Sequence, residues 1–172
     1  MNPPRCEFSE MTLSYVLSTD PDPLQPSPSE GELARCDLRL TVTNPTSAPV
    51  YCTGISILLP VGPLGVQLAT TGLGITGVAA PATWTVAAPQ EDVLIIVPQD
   101  GAARFTENPH GNRETVTPAL TVWLRQIRVN RRVGSADVII RETVSATTHG
   151  PWTENSGTCE VTKFSARAAT TS

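Results

Sequence analysis

The run 33–44, "LARCDLRLTVTN", alternates strictly. Cys36, Leu38, Leu40 and Val42 take one side, and Asp37, Arg39, Thr41 and Thr43 take the other. Successive side chains of a strand point to opposite faces, so this pattern offers one face to a core and one to water. The same period marks "MTLSYVL" (11–17), "VYCTGISILL" (50–59), "ADVIIRETVS" (136–145) and "TCEVTKFSAR" (158–167). "TWTV" (83–86) and "DVLIIVP" (92–98) read as a neighbouring pair of strands. In "VTPALTVWLRQIRVN" (116–130), Val122, Leu124, Ile127 and Val129 share a face only if the phase shifts near Gln126, which predicts a β-bulge there.

Nowhere do apolar residues recur at helical spacing; only "DGAARFTEN" (100–108) fits a helical turn. Short strands without amphipathic helices imply an all-β sandwich or barrel. The expectation is one domain over 1–172, a single immunoglobulin-like β-sandwich of about 8–10 strands with Greek-key connections. A chain of 172 residues is long enough for one real core and short for two. The proline cluster "STDPDPLQPSPSEGE" predicts a solvated loop at 19–32, and residues 168–172 read as a loose tail.

The segment "LRLTVTNPTSAPVYCTGISILLPVG" (38–62) resembles the strand–turn–strand of bacterial immunoglobulin-like modules. That likeness covers about 25 residues and implies a sandwich, not an activity. The Cys–Trp–Cys spacing of antibody-type domains is missing, since no Trp lies between Cys36 and Cys52. Among bacterial surface modules of this kind, a self-formed Lys–Asn isopeptide is familiar; here it would have to involve Lys163, the only lysine.

"GLGITG" (72–77) fits the dinucleotide pattern G-x-G-x-x-G. That fingerprint works only when a helix follows, because the phosphates sit on the helix N-terminus. Here "VAAPATWTVAAP" follows, with Pro81 and Pro89 bracketing a β-type segment. The expectation is a glycine-rich connection with no cofactor.

Charge is distributed unevenly. No Asp, Glu, Lys or Arg occurs from Leu40 to Gln90, a run of 51 positions. A solvated stretch of that length ordinarily carries charge, so part of it is expected to be buried in an assembly. The candidate interface residues are Val66, Leu68, Leu73, Ile75 and Val78. The leading expectation is a non-catalytic interaction or self-assembly module, with a protein partner or a homo-oligomer. One alternative is a membrane-active protein inserting 61–88, although the alternation breaks at Ala69–Thr71. Another is a small-molecule-binding β-barrel.

The net charge of -4 argues against a nucleic-acid partner. Arg125, Arg128, Arg131 and Arg132 form the one basic concentration and read as protection of an edge strand. With Trp152 in "HGPWTEN", the arginines Arg128, Arg131 and Arg132 are also the candidate ligand contacts. Trp84 reads as core and Trp123 as facing solvent or capping the second sheet. His110 and His149 lie in turns, and no G-x-S-x-G elbow accompanies them. Pairs such as Glu107 with His110, or Asp20 with Asp22, fall short of a metal-ligand set, and the expectation is no metal. Cys6, Cys36, Cys52 and Cys159 lack C-x-x-C spacing, so no zinc site is expected; Cys36 and Cys52, in consecutive strands, read as buried free thiols in preference to a disulfide. The N-terminus shows no apolar run behind a basic flank, so the expected location is cytoplasmic, or exported without a cleaved signal peptide.

Overall fold

A computed structural model describes residues 5–28, 33–62, 65–109 and 119–164. His110, the end of the proline-rich loop and the expected tail at 168–172 lie outside the described residues. The protein is all-β. Its strands are β1 (Arg5–Glu7), β2 (Ser14–Asp20), β3 (Arg35–Thr43), β4 (Val50–Leu58), β5 (Ala69–Thr71), β6 (Thr76–Ala80), β7 (Trp84–Gln90), β8 (Val93–Pro98), β9 (Ala103–Phe105), β10 (Leu120–Val129), β11 (Gly134–Ser145) and β12 (Thr153–Lys163). There are more of them than the expected eight to ten because β1, β5 and β9 have three residues each, too few to show a period. "DGAARFTEN" holds β9 and not a helical turn.

Two antiparallel sheets pack face to face. One has the order β1-β12-β11-β4-β8-β7, with β9 also on β4; the other runs β2-β3-β10-β5, with β6 also on β10. The alternation decides which side chains meet between them. Leu38, Leu40, Val122 and Leu124 from one sheet share a single core with Ile55, Ile57, Ile96, Val138 and Ile140 from the other. Trp84 belongs to that core and tilts against Phe105 at 5.8 Å. The phase shift in β10 is a bulge: pairing with β3 slips between Leu124 and Ile127, and Gln126 takes a φ of 62°. At the β3–β4 crossing, Asn44 holds the turn by donating to the Ala48 and Phe105 carbonyls and accepting from the Thr46 N–H.

The proline-rich loop is tied down where it is described, rather than solvated throughout. Leu24 is buried, its carbonyl accepts from Phe164 N–H, and the Ser27 hydroxyl donates to the Val129 carbonyl.

Cys6 and Cys159 face each other in the β1–β12 ladder with Cα atoms 4.0 Å apart and form a disulfide. A three-residue strand gives no periodic signal, so nothing in the sequence placed Cys6 opposite Cys159. Cys36 and Cys52 are the free buried thiols expected, one in each sheet.

Two inward positions carry charge. Glu142 on β11 is fully buried and accepts from Thr12 N–H (2.6 Å), Leu13 N–H (3.2 Å), the Tyr15 hydroxyl (2.8 Å) and Asn155 Nδ2 (2.7 Å). Tyr15 belongs to β2, so this cluster links the two sheets and anchors the segment between β1 and β2. Lys163, at the far end of β12, is 1% exposed. Its ammonium donates to the Gln67 carbonyl and, more weakly, to the Asn130 carbonyl (3.5 Å) and Oδ1 (3.4 Å).

Replacing Glu142 by Ala strands four donors and should lower the unfolding free energy by about 3–5 kcal/mol, with Glu142→Gln costing roughly half, as read by urea denaturation.

Stability should also vary with alkaline pH in two steps. Burial holds the Lys163 pKa down from 10.5 to about 8. From about pH 8 the unfolded lysine keeps a proton that the folded one releases, so stability rises. Burial pushes the Cys36 and Cys52 thiols up from 9.0 to about 12. Above about pH 9 the unfolded thiols ionise while the folded ones do not, and two thiols outweigh one lysine, so stability falls. Tyr15, raised well above 10.0 by burial and then by Glu142, adds to the fall at higher pH. Urea midpoints should therefore peak near pH 9, and Cys36→Ala with Cys52→Ala should remove the decline just above it.

Candidate functional site

The glycine-rich motif runs from the turn after β5 into β6. Its first glycine approaches the chain at Glu91 so closely that a Cβ at Gly72 would lie 1.6 Å from the Glu91 carbonyl oxygen. The Glu91 carboxylate accepts from the Thr71 hydroxyl and from Gly72 N–H (3.0 Å). These donors, Thr71 first, hold the Glu91 carboxyl below the usual carboxylate range. An anion does sit at the loop, then, but it is the chain's own carboxylate. Gly74 supplies a positive φ of 82° for the turn. Gly77 opens space for β7: a Cβ there would lie 2.4 Å from Val86 Cγ1. Each glycine serves packing or a turn, and β6 follows where a nucleotide fold needs a helix.

The uncharged run forms part of both sheets. Within 61–88, β5 and β6 pair with β10, whereas β7 pairs with β8 in the opposite sheet. The turn from β6 to β7 is closed by Trp84 N–H donating to the Pro81 carbonyl. The segment is thus no separate hairpin, and no described helix is long and apolar enough to cross a membrane. Core side chains from two sheets fill the interior where a ligand-binding barrel would have a lumen.

Of the candidate interface residues, Leu73 is 69% exposed, Val78 50% and Val66 40%. Ile75 is half-buried against the core. Leu68 corrects the expectation: it is fully buried, because its backbone is pinned between the Pro60 carbonyl and Asn130 N–H. Leu68 is a core residue and no contact surface. Val66 rests against the β10–β11 turn, where a Cβ on Gly134 would lie 2.8 Å away from it.

The arginine concentration does not guard an edge. β10 is paired on both sides, with β3 and with β5 and β6, so Arg125 and Arg128 project from the middle of the five-stranded sheet. Arg131 and Arg132 sit in the turn that leads to β11. Trp152, 37% exposed, lies in the loop beyond the other end of β11. The twelve residues of β11, roughly 40 Å at about 3.3 Å each, separate that loop from the arginine turn. Trp152 and the three arginines therefore do not form one site. His149 is exposed in the same loop as Trp152.

Lys163 and Asn130 do lie side by side, though no carboxylate is among the groups that set the lysine's protonation; burial and the Cys36 thiol are. An isopeptide condensation needs a proton shuttle that this cluster does not offer. The lysine instead satisfies loop carbonyls. Among the described residues no group of three or more His, Cys, Asp or Glu is placed to hold a metal ion.

Glu142 and Lys163 escaped the sequence reading, yet a signal existed. Both occupy inward positions of the alternation, after Val138 and Ile140 and after Cys159 and Val161.

The free surface of the uncharged run lies on the turn at Leu73–Gly74, on β6 and its turn into β7, and on β7 itself. β7 is the last strand of its sheet, pairs only with β8 among the described residues, and exposes Thr85, Ala87, Ala88, Pro89 and Gln90. Leu73 follows directly on Gly72, which meets Glu91 just past that strand. No family model, no curated protein and no solved structure matches this chain.

The close approach at Gly77 is open to a double-mutant cycle. Gly77→Ala should cost about 1–3 kcal/mol in urea unfolding, and Val86→Ala in the same chain should return most of that loss.

Proposed function

We propose that this chain is a non-catalytic assembly module that joins a second copy edge to edge along β7. The observation that carries this reading is the contrast between its edges. A free sheet edge presents unpaired N–H and C=O groups, and proteins ordinarily blunt it with charge, proline or brevity. β1, the opposite edge of the same sheet, has three residues, of which Arg5 and Glu7 are charged. β2 ends in Asp20 and is followed by Pro21, Asp22 and Pro23. β7 has seven residues and no charge. Pro89 removes one donor near its end and confines pairing to residues 84–88.

A strand without charge suits a two-fold partnership, because antiparallel pairing with its own copy brings no like charges together. Leu73, beside the end of β7, extends the contact beyond the backbone. Strand addition draws its affinity from main-chain hydrogen bonds, so no catalytic residues are required.

Light scattering after size exclusion is expected to find a dimer for the wild type and a monomer for Ala87→Lys, with Leu73→Glu weakening the dimer. Circular dichroism should be unchanged in both variants. A wild type that stays monomeric at high concentration, or a dimer that Ala87→Lys leaves intact, overturns the proposal.

A further inference from the structure

The outward face of the five-stranded sheet carries a groove that the edge contact does not use. Registers across the sheet align its side chains in rows: Ser18, Arg39, Trp123 and Val78 stand abreast, with Asp20 and Asp37 in the next row. The bulge in β10 shapes one wall. It leaves Arg125 and Gln126 both on the outside, and Gln126 N–H donates to Asp37 Oδ1 at 3.2 Å. The Arg125 guanidinium stands 6.0 Å from the Trp123 ring and 4.0 Å from Asp37 Oδ2. With Asp22 on the rim, these groups enclose an open groove of about 440 Å³.

We infer that this groove binds a neutral saccharide, with Trp123 as the stacking surface and Asp37, Arg39 and Arg125 as the hydrogen-bonding groups. The lining combines three carboxylates (Asp20, Asp22, Asp37) with two guanidiniums (Arg39, Arg125) and the Ser18 hydroxyl. Carboxylates only accept and guanidiniums only donate. Sugar hydroxyls do both, and the C–H face of a pyranose covers an indole. Three negative groups against two positive ones leave no net positive charge for a phosphate, and a polar lining gives a lipid tail no place.

Among the described residues, the side chains of Asp20, Asp22 and Arg39 make no ion pair or hydrogen bond. The Arg125–Asp37 pair is half-exposed and long, so a ligand loses little by opening it. The sheet backbone holds these groups in place, which lowers the ordering cost of binding.

Native gels containing soluble β-glucan, xylan, galactomannan or dextran, with heparin as the anionic control, test this inference, together with saturation-transfer NMR on the matching oligosaccharides. At least one polymer should retard the wild type, and both Trp123→Ala and Arg39→Ala should weaken its binding about tenfold or more. Arg39 is exposed and its side chain bonds to no other described residue, so Arg39→Ala keeps the test valid if Trp123→Ala unfolds. Three outcomes overturn the inference. One is no retardation and no saturation transfer across the panel; another is retardation that both variants leave unchanged. The third is binding confined to heparin and abolished by salt, which would make this face an anion surface built from Arg35, Arg39, Arg125 and Arg128.

Discussion

Two stacked sheets leave open ends where the strands stop and the chain crosses from one layer to the other. Apolar side chains do not close those ends, because the crossing backbone brings N–H and C=O groups that need partners. This protein closes each with a buried charge of the sign the local backbone calls for. At one end, N–H groups of the segment before β2 point inward and a carboxylate, Glu142, accepts them. At the other, the carbonyls of Gln67 and Asn130 point inward and an ammonium, Lys163, donates to them. The core layers of Leu, Ile and Val lie between these two plugs, and Thr12 and Leu13, Leu24 of the proline-rich loop, and Gln67 are each tied to one or the other.

The same economy governs the glycine-rich stretch. A loop with exposed amides at Thr71–Gly72 would attract an anion from solution, and Glu91 occupies it from within. That internal partner fixes the turn beside the end of β7, sets Leu73 out into solvent and leaves the longest uncharged edge of the molecule beside it. Packing needs at Gly72 and Gly77 are what give the stretch its likeness to a nucleotide motif.

Where strands were long, the sequence was readable. β3, β4, β10 and β11 are each nine residues or longer and largely alternate, and even the bulge at Gln126 was legible as a lost beat in the pattern, whereas the polar first half of β12, before Thr158, gave no such signal. Legibility failed where structure depends on distant partners. Whether Arg125 and Arg128 guard an edge depends on what pairs beyond β10, and that partner, β6, lies more than forty residues earlier. Leu68 looked like surface because its neighbours are small and polar, yet the loop is drawn into the core by Asn130. The groove on the outer sheet face assembles β2 and the residues just after it with β3 and β10, and no single window of sequence holds more than half of it.

The disulfide joins the first described strand to the last, across a sequence separation of 153. Tension applied at Arg5 and at Phe164 would therefore pass through the last residues of β12 and one covalent bond, and not through the strands between. The strands from β2 to β11 would feel no stretching load, and the fold could be pulled from both sides without lengthening. In mechanical terms the sandwich hangs from a closed ring, so a contact along β7 or a ligand on the outer face would be held at constant geometry under force.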